Sequence, residues 1–102
     1  MTVPSIDDRL APSERVVIRE LSGESVLLDL KSGLYFGLNA VGTRVWNLMA
    51  HGESLRAVTA ALSAEFDAPA AVIEEELLRF STELCENGLC GIERGEDGRR
   101  SD

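Results

Sequence analysis

Leu27–Met49, LLDLKSGLYFGLNAVGTRVWNLM, is the stretch whose reading decides the fold. A strand ending in Leu28-Asp29-Leu30 meets the turn residues Lys31-Ser32-Gly33, and another strand, Leu34 to Leu38, follows. Asn39 then stands where a helix needs a side-chain acceptor for its first free amides, so a helix is predicted from Ala40 to about Ala50. Val41, Val45, Leu48 and Met49 recur along it at helical spacing with Trp46 beside them, which marks a core face. Phe36 and Leu38 are assigned to the same core. An apolar hairpin delivered straight into a helix is a scaffold, and nothing within it is catalytic.

Upstream, Arg15 to Leu21 (RVVIREL) reads as a first strand rich in β-branched residues. Ser22-Gly23-Glu24 is turn chemistry that returns the chain antiparallel into a second strand, Ser25 to Leu30. Alternation puts Val26, Leu28 and Leu30 on one face, the expected apolar one, and Leu27 and Asp29 on the other. In the third strand Leu34, Phe36 and Leu38 share a face. Residues 1–14 hold Pro4, Pro12 and Asp7-Asp8 without a sustained period and read as a flexible N-terminal arm, whose Val3, Ile6 and Leu10 would cover an apolar edge if the arm docked or exchanged.

Downstream, His51-Gly52 closes the first helix and Ser54 caps a second, to about Phe66, with Leu55, Val58, Leu62 and Phe66 on its stripe. Asp67 is the expected cap of a third helix, with Pro69 in its first turn and Ile73, Leu77, Phe80 and Leu84 as its buried stripe. Asn87-Gly88 ends it, Leu89-Cys90-Gly91-Ile92 tucks back on the core, and residues 93–102 read as a disordered tail. The order β-β-β-α-α-α is a small α+β domain, here 15–92.

A chain of 102 residues supports one small core. Eighteen Asp and Glu against ten Lys and Arg give a net charge of −8, the wrong sign for neutralising a phosphate backbone, so nucleic acid is disfavoured as a partner. The apolar runs fall far short of the roughly 20 residues of a membrane span. MTVPSIDDRL lacks the basic start and apolar stretch of a secretory signal, so the expected location is the cytoplasm.

Cys85, Cys90 and His51 make neither a CxxC pair nor a zinc set, and the thiols read as small buried hydrophobes. His51, at a helix end, reads as a capping or surface residue. Glu74, Glu75 and Glu76 project about 100° apart and cannot converge on one ion from a single helix. A solvated first turn explains them, with contact to a basic peptide side chain as the functional alternative. The glycines form no phosphate-binding loop. No enzyme, metal or cofactor is expected. What remains is shape: in a meander the third strand is an outer edge, open to strand addition, and Gly37 admits another backbone closely.

Leu28-Asp29-Leu30-Lys31-Ser32-Gly33, then Tyr35-Phe36-Gly37-Leu38-Asn39, then Val41-Gly42 and Val45-Trp46-Asn47-Leu48 resemble the PqqD-like family, small proteins of pyrroloquinoline quinone and peptide-modification pathways also called RiPP recognition elements. The resemblance spans about Val16 to Ile92. It implies a non-catalytic winged helix-turn-helix, with a three-stranded antiparallel sheet followed by three helices, that binds the leader segment of a ribosomally made precursor peptide. In such proteins the leader adds as an antiparallel strand to the third strand, beside the third helix. Carried over, the strand side is Leu34, Tyr35, Phe36, Gly37 and Leu38. A helical wheel suggests Val72, Glu75, Leu78, Arg79 and Thr82 for the helix side.

The implied partners are the precursor leader peptide and a leader protease or peptide-modifying enzyme. Members devoted to pyrroloquinoline quinone are expected to carry a Pro-Glu-Gly turn in place of Lys31-Ser32-Gly33, whereas the SGLYFGLNAVG form resembles stand-alone proteins of lasso-peptide clusters. The alternatives are a pyrroloquinoline quinone peptide chaperone and a DNA-binding winged-helix regulator. The latter is disfavoured because the second helix and its approach offer Arg56 alone against Glu53 and Glu65. A homodimer through the strand edge or the arm stays open.

Overall fold

The computed structural model describes residues 3–93, in the order β1 (Arg9–Pro12), β2 (Val16–Leu21), β3 (Glu24–Asp29), β4 (Tyr35–Leu38), α1 (Ala40–Ala50), α2 (Leu55–Phe66), α3 (Ala70–Glu86) and β5 (Cys90–Glu93). The predicted meander is β2-β3-β4, antiparallel throughout and with β4 at its outer edge. Its first hairpin turns on Ser22 and Gly23, both with positive φ, the backbone that matches the twist of a two-residue connection.

The buried face of β3 is opposite to the predicted one. Ser25, Leu27 and Asp29 are buried, while Val26 and Leu28 are half-buried and Leu30 is exposed. Counting apolar residues favours Val26, Leu28 and Leu30, but the inward polar groups are satisfied. Ser25 Oγ lies 2.7 Å from Thr43 Oγ1 on α1, and Asp29 binds Arg15. Burial of a polar group is tolerated once it is hydrogen-bonded.

The stretch expected to be a flexible arm carries a strand. β1 pairs antiparallel with β5, Leu10 opposite Ile92, and Leu10 is 1% exposed. The physical reason lies partly in α2, whose first-turn amides have no partner within the helix. Ile6 O accepts from Arg56 N at 2.7 Å and Asp8 O from Leu55 N at 2.9 Å, while Ser54 Oγ caps Ala57 N at 3.2 Å. The segment therefore completes a helix end and covers the core. Met1, Thr2 and residues 94–102, the bulk of the expected disordered tail, lie outside the described residues.

Leu27, Val45, Trp46, Met49, Leu55, Val58, Leu62, Leu77, Leu84 and Leu89 join Leu10 in one core, each such side chain contributing roughly 1.5–3 kcal/mol on burial. Two expected core members do not belong to it: Val41 is 43% exposed and Phe66 47%. Both sit at a helix end, where the stripe runs past the covering layer. Asp67 does not cap α3. It adopts φ +52° as the left-handed close of α2, and α3 starts after Pro69 with no side-chain cap.

Candidate functional site

The hydrogen-bond alternation along β4 identifies its free main-chain groups. Asp29 N donates to Leu34 O at 3.0 Å. With Leu27 opposite Phe36 and Ser25 opposite Leu38, the main-chain groups of Leu34, Phe36 and Leu38 turn toward β3, and those of Tyr35 and Gly37 turn to the open edge. The approach is unobstructed, with Leu34 58% and Tyr35 71% exposed, and a Cβ built on Gly37 meets nothing within 4 Å.

The turn that launches β4 is held by one carboxylate. Asp29 Oδ1 accepts from Arg15 Nε at 2.9 Å and from Lys31 N at 3.0 Å, and Oδ2 accepts from Ser32 Oγ at 3.0 Å. The Arg15 guanidinium foremost, then the Lys31 amide and Ser32 hydroxyl, hold the Asp29 carboxyl below the usual carboxylate range, against the opposing effect of burial. At its far end β4 passes into α1 through Asn39, whose Oδ1 accepts from Gly42 N at 2.8 Å.

Beside this edge lies a cleft of about 290 Å³. Gly37, Leu38 and Asn39 form one wall and Val41, Gly42 and Val45 of α1 continue it, with Leu62 of α2 also lining the space. The opposite wall is α3, through Ile73, Glu76, Leu77 and Phe80. Strand edge and apolar cleft are adjacent, so an extended chain paired with β4 would send alternate side chains toward α3.

Of the strand residues proposed from sequence, Tyr35 and Gly37 present main chain, Leu38 is buried and lines the cleft, Phe36 packs against the core, and Leu34 is exposed just before β4. None of the five helix residues lines the cleft. Val72, Glu75 and Arg79 are exposed, Leu78 packs against the core, and Thr82 Oγ1 donates back to Leu78 O at 2.8 Å. The wheel placed the groove on the flank of the buried stripe, whereas the stripe itself, Ile73, Leu77 and Phe80, forms the cleft wall. Glu76, not among those five, also lines the cleft; it lies three residues from Ile73 and four from Phe80 and so shares their side of the helix.

Elsewhere the chemistry is structural. His51 closes α1, with Nδ1 2.7 Å from Asn47 O. Burial pushes the Cys85 thiol up, and burial with the neighbouring Cys85 pushes Cys90 up to about 12. Among the described residues no three His, Cys, Asp or Glu are grouped to hold a metal ion, and no helix is long and apolar enough to cross a membrane.

A family model described as coenzyme PQQ synthesis protein D (PqqD) matches residues 24–89, which covers β3 through α3. Two solved structures are similar. TbiB1 in complex with the TbiA(beta) leader peptide is 32% identical with a TM-score of 0.76, over 89% of this chain and 99% of that one. Lasso peptide synthetase B1 complexed with the leader peptide is 26% identical with a TM-score of 0.73, over 83% and 98%. Among curated proteins nothing matches.

Proposed function

The chain belongs to the PqqD family, and from that premise we propose that it binds the leader segment of a ribosomally made precursor peptide by strand addition to β4. The observation that carries this is the open edge at Tyr35 and Gly37 beside an apolar cleft. Main-chain hydrogen bonds supply sequence-tolerant affinity, and the cleft supplies selection. The similarity to two proteins solved with leader peptides supports a leader peptide as the ligand.

In this account the chain acts by binding alone. It holds the leader so that a separate leader protease or modifying enzyme reaches the rest of the precursor, in a pathway of lasso-peptide type. The strand side is Leu34 to Leu38, and the helix side is the Ile73, Glu76 and Phe80 wall rather than Val72, Glu75, Leu78, Arg79 and Thr82.

Fluorescence polarisation of labelled leader peptides, taken from short precursor genes beside this one, tests the proposal. Gly37→Pro removes the outward N–H of β4 while sparing its bonds to β3, and Phe36 is already extended as the residue before proline must be. Saturable binding to the native chain, lost or weakened at least tenfold in the variant with an unchanged fold, is the expected result. Undiminished binding to the variant rules out pairing at this edge.

A further inference from the structure

The three consecutive acids of α3 have different surroundings. Glu74 contributes to the field at Arg56, which is paired with Asp7 at 2.8 Å. Glu75 is exposed and away from the cleft. Glu76 lines the cleft between Ile73 and Phe80, and among the described residues it is the only ionisable group to do so. Among the described residues ion pairs join Arg15 to Asp29, Arg44 to Glu65 and Arg56 to Asp7, and Glu76 takes part in none of these. Arg79, three residues along, is exposed, is not among the residues lining the cleft and makes no ion pair with Glu76.

We propose, building on the leader-binding function above, that Glu76 selects a lysine or arginine in the strand added to β4. The walls around Glu76 are aliphatic and aromatic. A long cationic side chain can lay its methylenes against Ile73 and Phe80 while its charged end reaches the carboxylate. An extended strand directs every second side chain to the α3 side, so the cation stands two residues from an apolar residue that enters the cleft. The net charge of −8 favours approach of a cationic segment, and an acidic residue at the same place is rejected by like charge.

Phage-displayed random decapeptides are panned against the full chain and its Gly37→Pro, Glu76→Gln and Glu75→Gln variants. The native chain and Glu75→Gln are expected to enrich peptides with Lys or Arg two positions from a large apolar residue. Glu76→Gln retains the apolar preference and loses the basic one, and Gly37→Pro enriches neither. By polarisation, Glu76→Gln weakens the selected peptide about three- to tenfold and leaves its Lys→Gln counterpart nearly unchanged. Peptides without a basic preference, or one that persists in Glu76→Gln, overturn the role of Glu76 and leave strand addition standing. Enrichment that survives Gly37→Pro, or none with the native chain, overturns strand addition and this role with it.

Discussion

Asp29 Oδ1 accepts a hydrogen bond from Arg15 Nε at 2.9 Å, and the Arg15 carbonyl in return accepts from Leu30 N at 2.8 Å. The start of β2 and the turn before β4 are thereby tied together at the root of the open edge. Asp29→Asn is expected to lower Tm by several degrees at neutral pH, measured by circular dichroism. Because the folded-state value is depressed, the carboxylate's contribution is present above the ordinary Asp range and is lost as pH falls through the lower folded value. The Tm gap between native and variant should therefore close below about pH 4. A gap unchanged by acid contradicts the assignment.

Gly88 closes α3 with φ +74°, and a Cβ there would stand 2.5 Å from Arg15 Nη2. The arginine is already engaged with Asp29, so its freedom to yield is reduced. Gly88→Ala should cost about 1–3 kcal/mol by urea denaturation, from the left-handed backbone and the crowding together.

Leu10 tests whether the N-terminal segment is part of the domain. It is 1% exposed and sits on the strand paired with β5. Leu10→Ala should cost roughly 2–5 kcal/mol in chemical denaturation. A free arm would give no measurable change.

The parts of the fold that were legible in the sequence are the local ones. Asn39 and Ser54 cap their helices as expected, with Oδ1 to Gly42 N and Oγ to Ala57 N, because N-capping depends on residues two or three apart. The meander was legible for the same reason. The β1–β5 pairing joins Arg9 to Glu93 across nearly the whole described chain, and no local pattern encodes such a partner. The inverted face of β3 was hidden because Ser25 and Asp29 look like solvent residues until Thr43 and Arg15 are known to meet them. For the site, the strand edge followed from the order of strands. The helix wall depended on rotation by a single position, which exchanges Glu75 for Glu76 and which only tertiary packing decides.

The thiols offer a probe of β5 and the end of α3. With Cys90 pushed up to about 12 by burial and by Cys85, a negligible fraction is thiolate at pH 8. Native protein treated with Ellman's reagent should be modified slowly at Cys85 and, at Cys90, no faster than the chain opens. Both should react promptly in denaturant. Prompt reaction of Cys90 in native protein contradicts the docking of β5.

In the proposed mode a leader peptide adds as a strand on the outward groups of β4. Amide hydrogen exchange by NMR, with and without saturating peptide, tests it residue by residue. The Tyr35 and Gly37 amides, which face the open edge, should gain about tenfold or more protection on binding, while Phe36, already bonded to β3, changes little. A peptide that binds while Tyr35 and Gly37 exchange as fast as in the free protein would contradict the account.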